Sequence, residues 1–251
     1  MRLKVLAIQA SFFVALGTIW ELGSRAKVLD PEILPPPLQI AAAMADLLQE
    51  AAFIQEAGIT LWRVVVAFLI AAPISLLVGF VLGENRRFGD RLGGLFNVVL
   101  AVPQSVFLPI FILMLGLGTT QKIAYGITHV FFVVTITTMA AVRQVPAQWV
   151  QATRSFGGDR WRIYRSIYLP AMAPQVMTGL RLGLIFCIIG ILLAEMYGSR
   201  DGVGLVIYRF GQAYQTVNLM ASIFLISFIT VAINETMRLW ETRLGKWNSE
   251  R

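Results

Sequence analysis

Apolar residues run in six long blocks along this chain, at about 5–22, 61–83, 95–117, 121–142, 176–197 and 216–238, and most charged residues fall in the connections between them. Each block is on the order of 20 residues, the length an α-helix needs to cross the hydrocarbon of a bilayer. The block centres carry no Asp, Glu, Lys or Arg, in keeping with a penalty of about 2.5–3.5 kcal/mol for a charge at the midplane. The pattern predicts an all-α membrane protein, one domain spanning 1–251, with six transmembrane helices. Short alternating segments, the mark of a membrane β-barrel, are absent. Arg2 and Lys4 precede the first block as they would in a signal peptide, but no small-x-small cleavage site follows, so a retained anchor is expected.

Two connections have a pattern of their own. In the outer segment, 31–60, Pro31 and the run Pro35, Pro36, Pro37 lead into an expected amphipathic helix from Leu38 to Ala52. Its Leu38, Met44, Leu47, Leu48 spacing suits a helix lying on the membrane surface. In the connection 143–175, Gln148 to Phe156 forms a short helix with Trp149, Thr153 and Phe156 on one side. Gly157 and Gly158 close it, because glycine accepts the left-handed conformation that ends a helix. Asp159 caps a second short helix from Arg160 to about Tyr168, with Trp161, Tyr164 and Tyr168 in a stripe, and Pro170 and Pro174 are expected to end it. Ala152 and Gly157 permit close backbone approach, and Trp149, Phe156 and Trp161 are residue types that dominate protein interfaces. The same arginines and aromatics would also suit lipid headgroups. Lipid anchoring alone, however, does not require a glycine elbow.

Composition agrees with the membrane reading: 57% of residues are hydrophobic and 14% charged. The net charge of +7 is no sign of nucleic-acid binding, since the bases sit in short loops and form no continuous face. They are distributed asymmetrically. With a cytoplasmic N-terminus, Arg86, Arg87, Arg91, the six arginines from Arg143 to Arg181, and Arg238, Arg243, Lys246 and Arg251 fall inside, while Arg25, Lys27, Arg63, Lys122, Arg200 and Arg209 fall outside. This places both termini in the cytoplasm. Cys187 has no disulfide partner, and His129, the single histidine, is expected to pack within its helix and bind no metal.

Polar groups inside a span are unusual. Pro103, Gln104 and Ser105 lie near the middle of the third block with Pro109 beyond, and a broken or kinked helix exposing Gln104 to a pathway is expected, the alternative being a hydrogen bond from Gln104 to a neighbouring helix. Glu195, near the outer end of the fifth block, is expected to brace or gate the outer loop together with Arg200 and Asp201.

Several ordered motifs resemble the binding-protein-dependent ABC importer permeases, nitrate/sulfonate/taurine branch, over nearly the whole chain. Gln151-Ala152-Thr153, Gly157, then Ile167, Leu169 and Pro170 have the spacing of the cytoplasmic EAA motif. Leu34-Pro35-Pro36-Pro37, Leu115-Gly116-Leu117-Gly118, Thr178-Gly179-Leu180-Arg181, Ala194-Glu195 and Gly202-Val203-Gly204 resemble further motifs of that branch. The leading motif Glu is Gln151 here, the third residue is Thr153, and Val102-Pro103-Gln104 stands where the branch has V-P-P. The resemblance implies a type I ABC importer permease fold in the bacterial inner membrane. It implies as partners a second permease copy, two ATPases seated on a coupling loop, and an extracytoplasmic solute-binding protein. The coupling residues carried over are Trp149, Gln151, Ala152, Thr153, Phe156, Gly157, Gly158, Arg160 and Trp161. No cofactor is expected on this chain, ATP and magnesium belonging to the ATPase: Gly245-Lys246 is followed by Trp247 where a phosphate-binding loop needs Ser or Thr. The solute implied is small, such as a sulfonate, taurine, nitrate or an aromatic or pyrimidine compound. An autonomous secondary transporter or channel would show inverted repeats or intramembrane coupling carboxylates, and an intramembrane enzyme would show paired catalytic groups; neither pattern is visible.

Overall fold

The computed structural model describes residues 2–245, so Lys246, Trp247 and Arg251 lie outside the described residues, as do the side chains of Arg2, Lys4 and Arg243. Helices account for nearly all of the described chain: α1 Arg2–Arg25, α2 Pro37–Leu47, α3 Ala51–Glu84, α4 Arg86–Ala101, α5 Leu108–Leu115, α6 Thr119–Arg143, α7 Ala147–Ser155, α8 Arg160–Ile163, α9 Leu169–Met196, α10 Val203–Gln212 and α11 Thr216–Gly245. Among the described residues, four helical segments are long and apolar enough to cross a membrane: α3, α6, the run Arg160–Met196, and α11 over Thr216–Leu239. A fifth crossing is available if α4 and the segment Gln104–Leu115, bent by 85° at their junction, are taken together. The first expected block is the 24-residue helix α1.

The centre of the fold is the three-helix contact of α3, α6 and α9. Val64, Ala67 and Ala71 of α3 meet Val130 and Val134 of α6 and Cys187, Ile188 and Ile191 of α9, all buried. Lipid tails are as apolar as these side chains, so hydrophobic burial adds little to helix association in a bilayer; close packing does. The glycines show how close. A Cβ on Gly79 of α3 would lie 2.6 Å from the Thr135 carbonyl oxygen of α6, and one on Gly183 of α9 would lie 2.6 Å from Val134 Cγ2.

A second cluster joins α2, α10 and α11. Here the structure corrects the expected face of the outer helix. The buried positions of α2 are Ile40, Ala43 and Leu47, packed against Ile207, Ala221 and Leu225, while Leu38 and Leu48 are exposed. The face is therefore covered by protein, because the chain returns as α10 and α11 over it. The segment is also shorter than expected, since residues from Ala51 onward belong to the continuous 34-residue α3.

The third block is split. Val102 sits at φ −81°, ψ 128°, the extended conformation that the ring of a following proline imposes, and a 3₁₀ turn over Gln104–Phe107 leads into α5, which carries a proline in its first turn. The inner part begins at Arg86, earlier than the apolar block, because Asn85 caps it by accepting the Phe88 amide at 3.4 Å. In contrast, Pro170 and Pro174 do not end a helix. The path from Arg160 runs through a π turn at Tyr164–Tyr168 into α9, with Pro170 in its first turn. The wider π turn rearranges the local hydrogen bonds so that a residue without an N–H is accommodated.

Candidate functional site

Three places bring the candidate residues together. The first is the elbow after α6. α7 ends in a glycine cap: the Gly157 amide donates to the Arg154 carbonyl at 2.9 Å, the Gly158 amide donates to the Thr153 carbonyl at 2.9 Å, and Gly157 has φ +76°. Gly158 is held tightly, since a Cβ there would fall 2.6 Å from Thr153 Cγ2. Asp159 then caps α8 by accepting the Arg162 amide at 3.0 Å. Thr153 bonds back to the Trp149 carbonyl at 2.9 Å. Gln151, Ala152 and Arg160 are exposed, and Trp149, Phe156 and Trp161 expose 50%, 89% and 68% of their surface, an unusual arrangement for three large aromatics on one corner.

The elbow is tied to the membrane part by residues that pattern reading placed only in an aromatic stripe. Tyr164 donates to Glu84 at the C-terminal end of α3, at 2.7 Å. The rings of Tyr164 and Tyr168 pack edge-on against Phe80, at centroid distances of 5.6 and 5.7 Å. Arg181 pairs with Glu241 of α11 at 3.5 Å, and Thr178 donates to the same carboxylate at 2.6 Å.

The second place is the break in the third block. Pro103, Gln104 and Ser105 line a cavity of about 510 Å³ whose other walls include His129 and Val133 of α6 and Phe186, Ile189 and Leu193 of α9. Gln104 Oε1 is buried there without a hydrogen-bond partner among the described residues. His129 has its Nδ1 3.0 Å from the Tyr125 carbonyl, and its ring lies where a Cβ on Gly190 would be, 2.8 Å from Nδ1.

The third place is the C-terminal end of α9, and it corrects an expected partner. Glu195 is fully buried and pairs with Arg63 of α3, its Oε1 2.7 Å from Nη1; Arg63 is 1% exposed. Arg200 is exposed and makes no ion pair among the described residues. Arg63 also reaches the Asp201 carboxylate and the Thr119 hydroxyl, the latter at 3.0 Å. Burial by itself would raise the Asp201 carboxyl, but the hydrogen bond and charge of Arg63 outweigh it and hold that group below the usual carboxylate range. The Thr60 hydroxyl donates to Glu195 at 2.9 Å and accepts the Val203 amide at 2.9 Å, while the Gly204 amide donates to Glu195 at 3.0 Å. The positive end of α10 thus faces the carboxylate. Gly202 has φ +99°, and a Cβ on it would run into that carboxylate, which explains glycine at this turn. Lys122, buried, donates to the carbonyls of Leu117 and Gly198. Pattern reading treated Arg63 and Lys122 as outer loop charges; the signal available was a lone arginine two residues inside an apolar run.

The described residues thus form a bundle of membrane-length helices with a displayed elbow at one end, a break in the third block and a buried charge cluster at the other end. Residues 71–247 match the family described as binding-protein-dependent transport system inner membrane component, and the chain belongs to that family. It is 25% identical over 240 residues to the taurine transport system permease protein TauC of Escherichia coli K12, covering 94% of this chain and 87% of that one. It is 24% identical over 239 residues to the formylaminopyrimidine transport permease protein ThiX of Halalkalibacterium halodurans, covering 95% of each. The fold is that of type I ABC importer permeases: a chain of the MetNI methionine ABC transporter, solved in an inward-facing conformation, superposes with a TM-score of 0.61 at 15% identity, covering 73% of this chain and 93% of that one. Its relatives are named as transport permeases, and the chain is a transport subunit of this kind.

Proposed function

We propose that this chain works as a pair of identical permeases, each crossing the inner membrane six times, with α1 as the first span and both termini in the cytoplasm. Two ATPases seat on the elbows, an extracytoplasmic binding protein delivers the solute, and ATPase closure moves the elbow. The observation that carries this reading is the elbow itself: three exposed aromatics on a rigid glycine-capped corner, fastened to α3 through Tyr164 and continuous with α9. A push on Trp149, Gln151, Ala152, Thr153, Phe156, Gly157, Gly158, Arg160 or Trp161 is transmitted along α9, whose far end carries the Glu195 cluster. Such coupling needs a packed two-state element, and the α3, α6, α9 core supplies a stiff one. Co-purification of the ATPase tests it. Gly157→Trp, which puts a bulky side chain on a backbone at φ +76°, is expected to abolish co-purification while the permease stays in the membrane. ATP-independent uptake by this chain alone in liposomes would overturn the reading in favour of an autonomous transporter.

The solute passes the break in the third block. Pro103, Gln104 and Ser105 line a mostly apolar cavity, and the buried Gln104 amide oxygen, without a partner among the described residues, suits a passing hydrogen-bond donor. The relatives named for taurine and formylaminopyrimidine support a small polar solute of a sulfonate, zwitterion or pyrimidine type. Gln104→Leu is expected to reduce uptake by about tenfold or more at normal expression, by removing one hydrogen bond that is made to the solute in the path. Wild-type uptake would remove Gln104 from the path.

A further inference from the structure

Four arginines converge on one cleft beside the elbow, apart from the solute path, and of the four only Arg160 also belongs to the proposed ATPase contact. The cleft, about 740 Å³, lies between the α3–α4 corner and the inner side of the elbow, and Arg86, Arg87, Arg154 and Arg160 line it. Among the described residues none of the four makes an ion pair. The one carboxylate on the wall, Glu84, is already engaged by the Tyr164 hydroxyl. The elbow shows this cleft a different side from its exposed aromatics: α7 contributes Val150 and Arg154, one turn apart, whereas Trp149 and Phe156 lie on the neighbouring face.

Uncompensated guanidinium groups with their fork of N–H donors match the oxygens of a phosphate. What stands above the cleft points to the kind of phosphate. Val81, on the cleft wall, is the lowest of four exposed aliphatic residues on one face of α3, with Leu77, Ile74 and Ile70 above it at helical spacing. An apolar lane therefore leads from the basic cleft toward the hydrocarbon. We propose that the cleft binds the phosphate headgroup of an anionic phospholipid, one acyl chain lying along Ile70, Ile74, Leu77 and Val81. The lipid then bridges the α3–α4 corner to the elbow. This assignment requires only that the chain sits in a membrane and stands whether or not an ATPase seats on the elbow.

Native mass spectrometry of the detergent-purified chain tests it, with phosphatidylglycerol, phosphatidylcholine and inorganic phosphate as probes. Phosphatidylglycerol is expected to be retained preferentially. Arg86→Gln/Arg87→Gln is expected to weaken retention by about fivefold for each arginine removed, roughly 25-fold together, while Arg86→Lys/Arg87→Lys, which keeps the charge, retains most of it. Arg91→Gln, an exposed basic residue outside the cleft, is expected to change retention little. Equal retention of the two lipids, or an equal loss in Arg91→Gln, would overturn the site. Displacement of the lipid by millimolar inorganic phosphate would reassign the cleft to a free anion.

Discussion

Replacing Arg63 with Met is expected to lower the melting temperature of the detergent-purified protein by on the order of 6–20 °C. Breaking one partner out of a buried ion pair typically costs about 3–5 kcal/mol, because the remaining charge is left uncompensated, and each kcal/mol corresponds to roughly 2–4 °C in a chain of this size. Glu195 would be the stranded charge: it is fully buried, with Arg63 at 2.7 Å as its cationic partner. The Thr60 hydroxyl and the Gly204 amide would remain as donors, but neither carries a charge. The double variant Arg63→Met/Glu195→Gln is expected to recover much of the loss, because the neutral amide no longer demands a counter-charge. Arg200→Met, at the exposed position, is expected to leave the melting temperature nearly unchanged. A melting temperature for Arg63→Met within about 2 °C of wild type would mean that the pair does not hold the outer end together.

The double variant Phe156→Ala/Trp161→Ala is expected to leave that melting temperature in place and to weaken ATPase binding by a factor on the order of 10²–10³. Aromatic anchors at an interface centre contribute about 2 kcal/mol or more each, not strictly additively, and every 1.4 kcal/mol is tenfold in affinity. Both side chains are mostly exposed in the isolated chain, at 89% and 68%, so truncation leaves no cavity. The elbow backbone is held by the glycine cap and by Asp159, which these changes do not touch. Titration of the ATPase onto the purified variant, read by fluorescence anisotropy, gives the affinity directly. Unchanged affinity would remove the aromatics from the contact and leave them as headgroup residues.

These two expectations differ in how far the sequence alone could have led to them. The elbow was legible because its geometry is local: two glycines, an aspartate three residues before the amide it caps, and aromatics at helical spacing, all within about a dozen residues. The broken third span was legible for the same reason, since a proline acts on its immediate neighbours. The Glu195 cluster was not legible in its pairing. Its members, Thr60, Arg63, Thr119, Glu195 and Asp201, come from separate stretches, with Arg63 meeting Asp201 across 138 positions of the chain, whereas nearness in sequence suggested Arg200. The outer helix shows the same limit, because its amphipathic pattern predicts a covered face without saying whether lipid or α11 covers it.

The sequence by itself determined the solvent, the helical class and the local joints: unbroken apolar blocks admit only helices in a bilayer, and glycine and proline act through the backbone of their own turn. Which helix lies against which, and so which buried charge meets which, was decided only by the tertiary structure. Helix packing in a membrane depends on shape at contacts such as Gly79 on Thr135 and Gly183 on Val134, and complementarity of that kind exists between surfaces, not within one stretch of chain.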